Sequence, residues 1–191
     1  MNTKPKKALK ILPGKTNSPM VAVVGNSGSG KTTLIEKLIP EITKCGLRVG
    51  TIKHDVHGFE MDKPGKDSWR HKHAGAAMTV ISSPYQIGMI KDADHDHEPG
   101  ELLRLFGDMD VILCEGFKNR SIPKMEIFRA EMTIEPLCKN DEQLLALISD
   151  SDMDIRVPRF AANDVSSIAE FLIAHFNLIP VTGSGHRQAA L

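Results

Sequence analysis

The nine consecutive residues Gly25-Asn26-Ser27-Gly28-Ser29-Gly30-Lys31-Thr32-Thr33 contain G-x-x-x-x-G-K-[ST], the spacing that wraps a phosphate chain. Such a loop must bring backbone N–H groups up to anionic oxygens with no Cβ in the way, and Gly25, Gly28 and Gly30 supply that freedom. The expected cradle is Ser27, Gly28, Ser29, Gly30, Lys31, Thr32 and Thr33. Lys31 would reach the β- and γ-phosphates as a point charge, and the Thr32 hydroxyl would ligate Mg²⁺. The first turn of the following helix adds its unpaired amides and positive dipole end. The similar-looking Gly14-Lys15-Thr16 has neither the first glycine nor a strand before it.

A Mg²⁺ on the phosphates needs a second acid, at the carboxyl end of a neighbouring strand. Asp110-Val111-Ile112-Leu113-Cys114-Glu115-Gly116 reads as a fully buried strand with an acid at its exit. Asp110 lies at the wrong end, so Glu115 is the expected metal acid and, with Lys31, the expected catalytic residue. Its alternative is a buried structural carboxylate. Asp55 leaves the second strand on the same edge and is the next metal candidate, against a solvated turn residue. The Asn-Lys-x-Asp that reads guanine in many GTPases is absent, but Asp150 ends a late strand at the corresponding place and could accept from guanine N1 and N2 hydrogens.

These residues require a particular frame. Met20–Val24 is an apolar strand; Leu34, Ile35, Leu38, Ile39 and Ile42 recur at helical spacing up to Gly46, with Pro40 expected to kink or tighten the helix. Arg48 to Lys53 is the second strand, which closes a right-handed βαβ unit. His54 to Ala77 is polar and charged, starts at the carboxyl end of that strand, and contains a short helix from Lys66 to Ala74. Met78–Ser82 and Gln86–Ile90 read as an antiparallel hairpin at the sheet edge. Glu101–Phe106 reads as a short helix, Lys124–Phe128 and Leu144–Ile148 as strands, and Asp164 as the N-cap of a last helix. The expected fold is therefore α/β: a three-layer, P-loop NTPase-like, mostly parallel sheet with an antiparallel edge hairpin. Its expected bounds are a mobile basic arm over 1–18, a nucleotide-binding domain over 19–177 and a tail over 178–191.

At 191 residues one good core is the default, and 24 basic residues balance 24 acidic ones. That balance leaves no electrostatic footprint for nucleic acid or an anionic membrane. No stretch approaches the roughly 18 apolar residues of a membrane span. Cys45, Cys114 and Cys138 are an odd number with no C-x-x-C, which reads as reduced thiols and a cytoplasmic protein. Of the eight histidines, His54, His57, His71, His73, His95 and His97 fall between residues 54 and 97. No spacing among them matches a structural zinc site, and His-x-His puts its two rings on different faces, so solvated or phosphate-contacting histidines are expected over a metal cluster.

Gly25 to Thr33 with Leu34-Ile35-Glu36-Lys37-Leu38, then Arg48 to His54, then Asp62-Lys63-Pro64-Gly65-Lys66-Asp67-Ser68 with Arg70 and Ala74-Gly75-Ala76, then Glu115-Gly116-Phe117-Lys118 and Pro123-Lys124, together resemble the molybdopterin-guanine dinucleotide biosynthesis adapter family, MobB. The similarity covers roughly residues 20–175. It implies a homodimeric GTP-binding protein, at most a slow GTPase, that assists the molybdenum cofactor guanylyltransferase in attaching GMP to molybdopterin. GTP and Mg²⁺ are the implied cofactors. The competing classes are a small-molecule kinase, with Asp55 or Asp62 as base and Arg70 as substrate clamp, and a GTP-dependent metallochaperone.

Overall fold

The structure, a computed structural model, describes residues 17–179. Apart from residues 17, 18, 178 and 179, the arm expected over 1–18 and the tail expected over 178–191 lie outside the described residues. In chain order the elements are β1 (Met20–Val24), α1 (Lys31–Lys44), β2 (Val49–Lys53), α2 (Asp67–His73), β3 (Met78–Ser82), β4 (Ile87–Lys91) and α3 (Pro99–Leu102). A 3₁₀ turn (Leu103–Leu105) follows, then β5 (Val111–Glu115), β6 (Lys124–Ile127), β7 (Leu144–Ile148), β8 (Arg159–Phe160) and α4 (Val165–His175).

Six strands form one all-parallel sheet in the order β2-β5-β1-β6-β7-β8. Two neighbouring strands, β1 and β5, carry runs that are apolar at every residue because both faces are covered. Val21 to Val24 and Val111 to Cys114 are at most 1% exposed. One face packs against α1 and α4: Leu34, Leu38 and Ile42 join Val21, Val23, Leu113 and Met125, with Ile168 and Leu172 completing the cluster. The other face is covered by shorter pieces. Met20, Ile112 and Cys114 lie under Leu102, Leu103, Phe106 and Met109, while Ala22 and Val24 lie under Cys138, Ile155 and Val157.

Helix α1 runs on through Pro40 to Lys44. A mid-helix proline costs about 3 kcal/mol, whereas burying Leu34, Ile35, Leu38 and Ile42 returns about 1.5–3 kcal/mol each. Packing therefore outweighs the break. At α4 the Asp164 side chain accepts from the Ser167 amide at 3.3 Å, as an N-cap should. The segment read as a helix from Glu101 becomes α3 followed by a 3₁₀ turn. Two-residue β8 carries no apolar run and had no counterpart in the sequence reading.

The chain divides into two compact units, one made of the residues up to His54 and those from Pro99 onward, the other of Asp55–Glu98. In the second unit β3 and β4 pair antiparallel in a two-stranded sheet of their own, with α2 packed on β3. The hairpin is thus present, but as a separate sheet and not as an added edge.

Candidate functional site

The site grows out of β1. Flanked by β5 and β6, this strand ends where the sheet's connections diverge, which is where open α/β sheets leave a crevice for ligands. Immediately after it Gly25 takes φ 142°, and a Cβ there would stand 2.6 Å from the Ile127 carbonyl oxygen and 2.8 Å from Ser29 Oγ. No side chain fits. Gly28 and Gly30 follow at φ 77° and 104°, the left-handed half that glycine enters freely. Gly30 opens α1 with no side-chain cap on the helix, so the first amides are left for an anion.

Lys31 reaches back across the loop: its Nζ donates to the carbonyls of Gly25 at 3.0 Å and Asn26 at 2.7 Å. Burial lowers its pKa; the Glu115 carboxylate pulls it back up and Lys118 adds to the lowering. In the first turn of the helix, Thr32 Oγ1 lies 3.0 Å from both carboxylate oxygens of Glu115. Parallel register explains the meeting, because Glu115 pairs with Val23 and so leaves the sheet beside the loop's own root.

The turn after Glu115 is held from several sides. Gly116 takes φ 101° and donates its amide to the Val23 carbonyl at 3.1 Å, while a Cβ on it would approach His54 Cβ to 3.2 Å. Phe117 follows at φ 60°, a conformation that costs a non-glycine residue of order 1–3 kcal/mol. Its ring is buried and stacks on His54 at 4.3 Å, an interaction that offsets the strain.

Gly28, Ser29 and Gly30 also line a cleft of about 550 Å³ whose far wall carries Arg129, Asp150 and Asn163. Asp150 is thus brought to the phosphate loop's own cleft. Its carboxylate accepts from Arg129 Nη1 at 3.1 Å and from the Ala162 amide at 3.2 Å. Arg129 also points Nε at the Ser29 carbonyl, 3.5 Å away, and so ties the loop to Asp150. Sequence reading missed this arginine. The signal for it was its place two residues past a strand that neighbours β1. Asp55 belongs to the second unit, where its Oδ1 accepts from the His57 amide at 2.9 Å, the hydrogen bond of an Asx-turn. Asp110 caps the opposite end of the sheet, accepting from the Arg48 amide at 2.8 Å.

Behind the site, β6 carries two buried charges on one face. Lys124, 1% exposed, donates to Asp141 at 2.5 Å and to the carbonyls of Lys118 and Arg120. Glu126, also 1% exposed, accepts from the amides of Leu137 at 2.6 Å and Cys138 at 2.8 Å. Burial raises its pKa against those two bonds. Lys124 thus holds the 118–121 loop, which follows Glu115, to the sheet, and Glu126 holds the segment at Leu137 and Cys138. Nearby Cys114 and Cys138 are buried thiols, pushed up to about 12 and about 11 by desolvation, which makes them inert.

Residues 20–150 match the family model described as molybdopterin guanine dinucleotide synthesis protein B. The chain is 38% identical over 166 residues to the molybdopterin-guanine dinucleotide biosynthesis adapter protein of Escherichia coli K12, covering 84% of this chain and 94% of that one. It is 36% identical over 173 residues to the protein of the same name from Haemophilus influenzae, covering 88% and 97%. Among solved structures, Bacillus subtilis MobB superposes with a TM-score of 0.65 at 29% identity, over 82% of this chain and 96% of that one. Since the matched span holds the phosphate loop, β5 with Glu115, and Arg129 with Asp150, the chain belongs to the molybdopterin guanine dinucleotide synthesis protein B family.

Proposed function

We propose that the protein is a GTP-binding adapter that assists the guanylyltransferase attaching GMP to molybdopterin, with hydrolysis slow and secondary. Family membership favours this over a small-molecule kinase. The observation that carries the nucleotide half is the Thr32–Glu115 contact beside the loop held by Lys31. Magnesium with oxygen ligands at about 2.1 Å sets adjacent ligands about 3.0 Å apart, and that is the separation of the Thr32 hydroxyl and the Glu115 carboxylate. An all-oxygen pair of this spacing fits the ion; when bound it would offset phosphate charge. Lys31 would leave its two loop carbonyls for the phosphates, and Asp150 would accept from the guanine edge.

Slow turnover is supported by the cleft lining. Among the described residues that line it no glutamine is placed to orient a water, and Arg129 rests on Asp150. Free thiols at Cys45, Cys114 and Cys138 support a cytoplasmic setting, and no helix among the described residues is long and apolar enough to cross a membrane.

The homodimer is assigned to the hairpin. Register places Met78, Val80, Ile87 and Met89 on one face of β3 and β4, and they are 52%, 52%, 50% and 44% exposed. An isolated two-stranded sheet is marginal in water, so an apolar face of this kind gains from a second copy. The polar remainder of the unit, with Lys63, Lys66, Arg70 and Lys72, is the surface proposed for molybdopterin or the partner enzyme. The test is GMP transfer to molybdopterin by the guanylyltransferase with and without this protein. Stimulation that Lys31→Ala abolishes supports the adapter; equal transfer in all three mixtures contradicts it.

A further inference from the structure

The tip that closes the second unit, Asp92-Ala93-Asp94-His95-Asp96-His97-Glu98, gathers two imidazoles and four carboxylates in seven residues. Spacing argued that the two rings would face apart. Instead they stack, centroids 4.0 Å apart and planes within 6°. The cause is local: His97 Nδ1 lies 2.9 Å from the His95 carbonyl oxygen, which folds the second ring back over the first. His95 Nδ1 in turn lies 2.7 Å from Asp94 Oδ1. One donor atom from each of Asp94, His95 and His97 falls within 4.8 Å of the others.

Hydrogen-bond chemistry decides what these groups offer. A carbonyl oxygen only accepts, so His97 Nδ1 is the donor and its Nε2 keeps the lone pair in the neutral ring. A ring nitrogen hydrogen-bonded to a backbone carbonyl, with the other nitrogen open, is the arrangement found behind metal-bound histidines. Asp94 and His95 hold an oxygen and a nitrogen 2.7 Å apart, against about 3.3 Å along the edge of a tetrahedral zinc shell with bonds near 2.0 Å. Ring lone pairs lie in the ring planes, so ligation also requires the parallel stack to open, which rotation of the exposed Asp94 and His95 side chains allows.

We propose that Asp94, His95 and His97 form a binding site for a borderline divalent ion of the zinc or nickel type, separate in chain and chemistry from the Thr32–Glu115 pair. Two nitrogens and one carboxylate favour such ions over magnesium, which takes oxygen ligands. On binding, the ion takes the place of the proton shared by Asp94 and His95. The ring then coordinates as the neutral imidazole, and water fills the remaining positions. The site is a surface site open to exchange, not a structural core.

The test is zinc binding to the full, tag-free chain by equilibrium dialysis and calorimetry. One ion per chain is expected to bind at micromolar concentration, with at least about tenfold weaker binding in the His95→Ala/His97→Ala double variant and about tenfold in Asp94→Asn. GTP affinity of the double variant, expected to equal the parent's, reports that it is folded. A His71→Ala/His73→Ala control should bind zinc as the parent does. Absence of zinc binding by the parent, parent-like binding by the folded double variant, or equal loss in the His71/His73 control would overturn the assignment.

Discussion

Thr32 Oγ1 donates to the Glu115 carboxylate at 3.0 Å across 83 residues of sequence, joining the first turn of α1 to the exit of β5. Neither residue could be placed there alone. The hydroxyl arrives because Gly30 starts the helix in the left-handed region, and the carboxylate arrives because β5 lies parallel beside β1 in the register Val23–Glu115.

Lys31→Ala should leave the fold intact and weaken GTP binding more than tenfold. The change removes one charge-assisted contact to phosphate, worth about 1.5–3 kcal/mol. Its present partners are the Gly25 and Asn26 carbonyls, which water can satisfy once the amine is gone. Calorimetric titration checks this, and unaltered affinity in a folded variant would remove the phosphate role of the loop.

Gly25→Ala should damage both stability and binding. The added methyl meets backbone, the Ile127 carbonyl at 2.6 Å, which cannot swing aside as a side chain would, and φ 142° strains any L residue. A loss of about 1–3 kcal/mol is expected in urea unfolding. A parent-like midpoint would mean that the loop relaxes more freely than its contacts suggest.

Asp150→Asn separates base recognition from scaffolding. If Asp150 accepts from guanine, GTP binding falls about tenfold or more. XTP, which carries a carbonyl where guanine carries its amino group, then gains relative to GTP, because the new amide can donate to it. Equal losses for both nucleotides would instead make Asp150 the anchor of Arg129 and the Ala162 amide only.

The Lys124–Asp141 pair makes an acid-sensitive clamp. Partial burial pushes the Asp141 carboxyl up, but the Lys124 hydrogen bond and charge, with the Gln143 amide and Arg156, hold it below its usual value near 3.8. A carboxyl whose pKa is lower in the folded chain adds stability above the unfolded value and loses it as pH falls through the folded one. Urea midpoints should therefore drop below about pH 4 in the parent and depend less on pH there in Asp141→Asn. At pH 7 that variant should be weaker by about 1.5–3 kcal/mol, since it leaves the buried ammonium with carbonyls alone.

Where local pattern and global fold agree, the sequence was readable. Val111 to Cys114 is apolar at every residue because both faces of β5 are covered, and that same run pointed to Glu115 as the acid at its exit. The glycine spacing gave the loop for the same reason: backbone geometry leaves few alternatives. Three features stayed hidden. Lys124 and Glu126 sit in a strand yet are buried, and Asp141, Leu137 and Cys138, with the Lys118 and Arg120 carbonyls, supply the partners that make this tolerable. Arg129 gains meaning only once β6 and β7 bring it to Ser29 and Asp150. The His95–His97 stack depends on one carbonyl hydrogen bond that alternation along an extended chain does not foresee.

The central claim, that Thr32 and Glu115 make a magnesium-dependent GTP site, is tested most directly by titrating GTP into parent and Glu115→Gln protein with and without Mg²⁺. Size is nearly conserved in this variant, so packing at the end of β5 should survive. Magnesium should strengthen GTP binding to the parent, and Glu115→Gln should lose most of that gain while its magnesium-free affinity stays near the parent's. An equal magnesium effect in both proteins would contradict it and leave Glu115 a structural partner of Thr32.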